Sequence, residues 1–189
     1  MLNLDHIPTN EPLKIIIGAG EQSYPGWIAT HKEQLDLLDR DGWIATFRDR
    51  RVDAFLCEHV WEHLTETQAR QAAKLCYDFL KPGGYLRCAV PDANYLDEEY
   101  QRGARGDVPP DHSAFDHKIV YDYNLFVDIF QSVDFEVDLL EYCDENGRFH
   151  YNDYGQSKGI IYRSLRVDHR NKEGDLGFVS LIVDAIRTR

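Results

Sequence analysis

Residues 52–92, VDAFLCEHVWEHLTETQARQAAKLCYDFLKPGGYLRCAVPD, decide the fold. Their first six residues, Val52-Asp53-Ala54-Phe55-Leu56-Cys57, are a short, largely apolar run of the kind that forms a buried strand. Residues 58–64 follow as its exit loop or first helical turn. Thr65 and Gln68 then stand at capping-box spacing, where a hydroxyl and a side-chain amide satisfy the backbone donors left over at a helix start. Behind them Ala69, Ala72, Ala73, Cys76 and Leu80 recur at helical spacing, while Arg70, Gln71, Lys74 and Asp78 fall on the opposite face. Lys81-Pro82-Gly83-Gly84 ends the helix, since proline cannot continue it and glycine accepts the left-handed turn. Residues 85–90 resume as an apolar strand that Pro91-Asp92 terminates. Strand, helix and strand in this order predict a βαβ unit.

Upstream, residues 13–17 form an apolar run that stops at Gly18-Ala19-Gly20, which reads as a buried strand ending in a permissive turn. A second run, residues 27–30, follows Pro25-Gly26 so closely that any crossover helix between the two is a stub or missing. Residues 36–39 read as another brief strand with Arg40-Asp41-Gly42 as its exit. Downstream, residues 97–116 are rich in glycine, proline and charge and read as a mobile loop. Helical spacing returns over residues 123–133 through Phe126, Val127, Phe130 and Val133, and residues 135–142 read as a strand. Asp144-Glu145-Asn146-Gly147 turns into residues 148–154, and the β-prone run 178–186 closes the sheet. The expected fold is α/β: a Rossmann-like, mostly parallel sheet with flanking helices and an antiparallel C-terminal hairpin, its first crossover helix shortened or missing.

The chain has 189 residues, enough to bury a core as one domain over residues 1–189 without disulfide or metal support. A net charge of −12 argues against tracking nucleic-acid phosphates, which requires lysine and arginine. Met1-Leu2-Asn3-Leu4-Asp5-His6 lacks the basic start and apolar core of a signal peptide, and no run approaches the ~20 apolar residues of a membrane span. The expectation is a cytoplasmic protein with neither nucleic-acid nor membrane partners. Cys57, Cys76, Cys88 and Cys143 form no C-x-x-C pair and read as buried thiols.

Two short patterns carry chemistry. His59-Val60-Trp61-Glu62-His63 is literally H-x-x-E-H, the inverted zinc-protease motif, whose two histidines share a metal when they lie one helical turn apart. Against a zinc hydrolase, the motif directly follows an apolar strand and no third ligand stands out, so no metal ligand is assigned. Glu62 and His63 read in preference as residues that cap or pair locally beneath the site. Asp116-His117-Lys118, before Tyr121 and Tyr123, places an imidazole in a polar, aromatic setting, and His117 is the candidate general base. Its alternative is a histidine that pins the loop. Lys118, Tyr121, Tyr123 and Tyr151 are candidates for the acceptor side, although alternating aromatics such as His150, Tyr151 and Tyr154 also serve packing.

Along nearly the whole chain the order of segments resembles the class I S-adenosylmethionine-dependent methyltransferase family. Residues 13–20 look like its first strand and glycine motif, residues 52–58 like its fourth strand and exit, and Leu80-Lys81-Pro82-Gly83-Gly84-Tyr85-Leu86 like its helix-to-fifth-strand signature. Tyr24-Pro25-Gly26-Trp27-Ile28, residues 58–64, Ala89-Val90-Pro91-Asp92 and Asp116-His117-Lys118 resemble a compact bacterial branch of it. The resemblance implies S-adenosyl-L-methionine as cofactor and a small-molecule or carrier-linked methyl acceptor. It sets Gly18, Ala19 and Gly20 near the methionine and ribose portions, Glu58 and His59 beside the cofactor, and Asp39 at the adenine amine. The family's second strand ends in an acid that holds the ribose hydroxyls; here Thr30-His31 stands there, leaving His31 as the residue at that position. A binding domain that keeps this fold without catalysis is the alternative.

Overall fold

A computed structural model of the chain describes residues 2–4, 7–172 and 175–189. Four strands run parallel: β1 (Lys14–Ile17), β2 (Ile28–Ala29), β3 (Val52–Glu58) and β4 (Leu80–Val90). β5 (Glu136–Cys143) and β6 (Phe149–Tyr151) form an antiparallel hairpin, and β7 (Leu181–Ile186) inserts antiparallel between β4 and β5. The sheet order is β2-β1-β3-β4-β7-β5-β6. The Rossmann-like sheet and the C-terminal hairpin stand as the sequence predicts.

The βαβ unit forms for the local reasons its sequence offers. Thr65 accepts a hydrogen bond from the Gln68 N–H while the Gln68 side chain accepts one from the Thr65 N–H, and helix α2 (Glu66–Phe79) starts there. Its buried stripe is Ala69, Ala72, Ala73, Leu75, Cys76 and Phe79. The helix ends earlier than its stripe suggests: Leu80 is already the first residue of β4 and Lys81-Pro82-Gly83-Gly84 bulge within that strand, the register passing from Val52–Leu80 to Ala54–Tyr85. Gly84 permits the bulge, since a Cβ there would lie 2.9 Å from the Lys81 carbonyl and 3.0 Å from that of Asp53. All four cysteines are buried and free, and Cys57 and Cys88 are register partners across β3 and β4.

Two further expectations fail. Residues 36–39 make no strand; Asp39 is instead the N-cap of helix α1 (Arg40–Phe47), its carboxylate accepting from the Gly42 N–H. The Leu37-Leu38 pair reads as strand-like, but Leu38 is exposed, and Leu37 enters the core from a turn beside Trp43 and Phe47, which lie one helical turn apart. Residues 97–116 are not all loop: Asp97 caps helix α3 (Glu98–Ala104) by accepting from the Tyr100 N–H, and Glu98 and Glu99 sit at its positive end.

The sheet's two faces are covered differently. On one, α1, α2 and α4 (Tyr123–Gln131) pack on Ile15, Ile17, Phe55, Cys57, Leu86 and Cys88, with Trp43 ring centroids 5.3–5.5 Å from Phe47, Phe55 and Phe79. On the other, Ile16, Leu56, Ala89 and Ile182 meet Ile161, Tyr24, Trp27 and Tyr154. No helix joins β1 to β2, as the short spacing predicts, and residues 154–161 of the chain beyond β6 occupy that face. Arg87 is buried beneath them. Its guanidinium pairs with Asp184 at 2.7 and 2.9 Å and donates to the carbonyls of Gly155 and Gly159 at 3.0 and 2.7 Å. Among the described residues no helix is long and apolar enough to cross a membrane.

Candidate functional site

A cavity of about 1370 Å³ opens at the carboxyl ends of β1, β3 and β4, where open α/β sheets bind ligands. Its floor begins at the turn after β1. Gly18 and Gly20 take φ of 63° and 55°, left-handed values that L-residues with side chains rarely adopt. A Cβ on Gly18 would lie 2.5 Å from Val60 Cγ2, so this glycine is required by space as well as by conformation. The Ala19 N–H donates to the Thr30 carbonyl at 2.8 Å and Thr30 Oγ donates to the Ile16 carbonyl at 2.8 Å, which locks the turn to β2.

Glu58, at the end of β3, is a buried carboxylate with every lone pair in use. It accepts from Gln22 Nε2 at 3.0 Å, the Tyr162 N–H at 2.7 Å, and the Arg163 N–H and guanidinium at 3.0 and 3.3 Å. Burial raises its pKa against the opposing pull of these donors. It thereby ties the segment that walls the cavity to the strand that floors it. His59 leaves β3 with φ of 54°, and its Nε2 shares a hydrogen bond of 2.9 Å with Ser180 Oγ. Burial holds its imidazole well below the ordinary value, so it is neutral.

Glu62 and two histidines form the far wall. The Lys118 N–H donates to the Glu62 carbonyl at 2.8 Å and brings the 112–118 loop beside the turn at residues 61–63. His63 and His117 then meet edge to face, ring centroids 4.8 Å apart. His63 Nδ1 donates to Asp116 at 2.8 Å and His117 Nδ1 donates to the Ala104 carbonyl at 3.0 Å. Burial lowers the His117 pKa. Both carboxylate oxygens of Glu62 are buried without a hydrogen-bond partner, and burial pushes its pKa up to about 8.

The structure gathers Gly18, Ala19, Gly20, Glu58, His59 and His117 on this one cavity. The other sequence candidates lie elsewhere. His31 is exposed beyond β2, and Asp39 is used as a helix cap. Lys118 is exposed, and Tyr121 is a core residue whose hydroxyl donates to the Trp61 carbonyl. Tyr123 donates to Glu145 and packs on Tyr142, while Tyr151 donates to Asp153 beside Arg166. The tyrosines that sequence reasoning placed near the acceptor therefore serve the core and the hairpin. The helix-borne zinc pair of H-x-x-E-H does not form either, because Trp61–His63 is a single 3₁₀ turn and His59 sits outside it, turned to Ser180. Gln22, Glu62, Tyr100, Tyr162 and Arg163 line the cavity unforeseen. Only Glu62 had a sequence signal, its place in that motif.

Residues 25–88 match the family model described as a methyltransferase domain. No curated protein matches the chain by sequence. Among solved structures, a SAM-dependent methyltransferase from Archaeoglobus fulgidus superposes with a TM-score of 0.53 at 15% identity, over 94% of this chain and 87% of that one. A SAM-dependent methyltransferase from Thermotoga maritima gives 0.51 at 14% identity, over 94% and 82%. The CurJ carbon methyltransferase gives 0.54 at 12% identity, over 98% of this chain and 51% of that one. Residues 25–88 thus carry a methyltransferase-domain signature, and the chain shares the fold of S-adenosylmethionine-dependent methyltransferases.

Proposed function

We propose that the chain binds S-adenosyl-L-methionine in this cavity and transfers its methyl group to a small-molecule or carrier-linked acceptor. The observation that carries this reading is the left-handed Gly18-Ala19-Gly20 turn opening onto the cavity at the ends of parallel strands. The cavity exceeds the roughly 300–1,000 Å³ of ordinary ligand pockets, which leaves room for cofactor and acceptor together. The residues present fit the methionine side of such a ligand: bare backbone at Gly18 and Gly20, with His59 beside it. At the ribose side the end of β2 offers no acid, since Thr30 spends its hydroxyl on Ile16 and His31 faces solvent.

The bound cofactor supplies an electrophilic methyl on a sulfonium. The chain's own part is positioning and exclusion of water, which is most of what a displacement between two held reactants requires. Glu58 acts here as a positioning residue, fixing Gln22, Tyr162 and Arg163 on the cavity wall. His117, neutral and with its Nδ1–H held by the Ala104 carbonyl, keeps the Nε2 lone pair to take a proton from an oxygen or nitrogen acceptor.

A second reading, a binding domain of this fold without cofactor affinity, is favoured by the complete engagement of Glu58 and by Thr30-His31. Calorimetric titration with S-adenosylmethionine and S-adenosylhomocysteine separates the two. The enzyme reading expects saturable binding of both, abolished in Gly18→Val and retained in His117→Ala. Absence of heat at millimolar ligand overturns it in favour of the second.

A further inference from the structure

We propose that Glu62, His63 and His117 form a binding site for a divalent transition-metal cation of the zinc class on the wall of the cavity. Their donor atoms all lie within 4.8 Å of one another, and His117 Nε2 is 3.9 Å from Glu62 Oε1. Two imidazoles and a carboxylate suit zinc and its neighbours, whereas magnesium and calcium select oxygens throughout.

Three observations point to the site independently. First, each histidine has its Nδ1–H committed, one to the Asp116 carboxylate and one to the Ala104 carbonyl. Both rings are thereby set in the tautomer that leaves Nε2 free, the outer-shell arrangement that orients histidine ligands at metal centres. Second, Glu62 is fully buried with neither oxygen in a hydrogen bond, the nearest imidazole nitrogen being His59 Nδ1 at 3.3 Å from Oε1. A buried carboxylate without a donor is costly, and a cation removes that cost. Third, all three residues line the cavity, so a fourth coordination position faces its interior, as at an open zinc site. A tetrahedral centre with bonds of about 2.1 Å places its donors about 3.4 Å apart. The His117–Glu62 pair is nearly there, and His63 closes the remainder by a rotation that its exposed partner Asp116 can follow.

This set differs from the one that H-x-x-E-H suggests. It pairs His63 with His117 and leaves His59 outside the ligand set, its Nε2 on Ser180 and its Nδ1 3.3 Å behind Glu62 Oε1. With the cation bound, His117 Nε2 is a ligand, and the cation takes over the task of favouring a deprotonated acceptor; that consequence alone rests on the methyl-transfer reading.

The test uses the full chain stripped by chelator and titrated with Zn²⁺ alone, and with Co²⁺ for its visible absorption, circular dichroism confirming the fold of each variant. The expected result is one tightly bound equivalent with a nitrogen-and-oxygen Co²⁺ spectrum. His63→Gln and His117→Gln are each expected to weaken binding at least about 100-fold, Asp116→Asn about tenfold, and His59→Gln not at all. Substoichiometric binding by the wild-type chain overturns the proposal. So does binding that survives His63→Gln together with His117→Gln, or that His59→Gln removes. Because no S-adenosylmethionine is present, failure here is distinct from failure of the cofactor reading.

Discussion

On one face of the sheet three helices lay apolar stripes against the strands, whereas on the other a segment whose regular structure is one 3₁₀ turn, Gln156–Lys158, is held by buried charged groups. The helical face satisfies its backbone within α1, α2 and α4 and needs only apolar contact outward. The segment over residues 152–165 has no ladder of its own, so its backbone groups find side chains. Arg87 takes the carbonyls of Gly155 and Gly159, and Glu141 takes the Leu165 N–H at 2.9 Å and the Tyr154 hydroxyl at 2.5 Å. Glu58 takes the N–H groups of Tyr162 and Arg163. Polar residues buried in strands thus do for this face what helical hydrogen bonds do for the other. The same segment then walls the cavity, so the less regular face is the one that shapes the site.

The largest effect is expected where this contrast is sharpest. Arg87→Met leaves the buried Asp184 with only the half-exposed Lys158 ammonium at 3.6 Å and releases two carbonyls, costing about 3 kcal/mol in urea unfolding. Adding Asp184→Leu should recover most of it. A loss below about 1 kcal/mol in the single variant breaks the claim that buried charge holds this face. Glu58→Gln should cost about 2–3 kcal/mol. Its amide-exchange signature is faster exchange at Tyr162 and Arg163 with α2 unchanged. Uniform loss of protection across both faces would show that they are not separately held.

The pH dependence sharpens the comparison at the junction of β4 and β5. Asp92 accepts from the Cys143 and Asn94 N–H groups at 2.7 and 2.8 Å, and burial pushes its pKa up to about 6. A folded-state value above the unfolded one means that its contribution is full below about pH 4 and is lost as pH rises through about 6. Relative to Asp92→Asn, wild-type stability should therefore fall by about 2 kcal/mol between those limits. Parallel pH profiles for the two proteins would exclude a role for this carboxyl. The smallest effect belongs to the helical face: Thr65→Ala removes one half of the capping box and should cost about 1 kcal/mol by thermal denaturation. A cost matching that of Arg87→Met would erase the contrast.

The legibility of the sequence divides along the same line. The β3–α2–β4 unit could be read because its main signals are local: an apolar run, a Thr65–Gln68 box and a stripe at helical spacing, although residues 80–84, read as the end of the helix, form a bulge in β4. α1 and α3 were missed because short helices show few apolar repeats and announce themselves mainly by Asp39 and Asp97 caps. At the site, the glycine turn and Glu58 could be placed on the cavity, whereas Tyr162 and Arg163 could not. Their contribution is made largely by backbone N–H groups, which leave no mark in the choice of side chain. The meeting of His63 with His117 was equally hidden, since the Lys118 N–H to Glu62 carbonyl bond arranges it. The candidates Lys118, Tyr121, Tyr123 and Tyr151 lie off the cavity for the converse reason: polar residues near a loop look alike in sequence whether they face a pocket, solvent or the core.

The central claim is that the glycine turn and the coil-walled cavity together form a nucleoside-sulfonium site. A crystal structure of the full chain with S-adenosylhomocysteine tests it most directly. The account predicts the ligand's amino-acid and ribose portions against Gly18, Ala19 and Gly20, with Glu58 still holding Tyr162 and Arg163 and the sulfur facing the His117 side of the cavity. Ligand bound away from that turn, or no ligand in the cavity at saturating concentration, would contradict it.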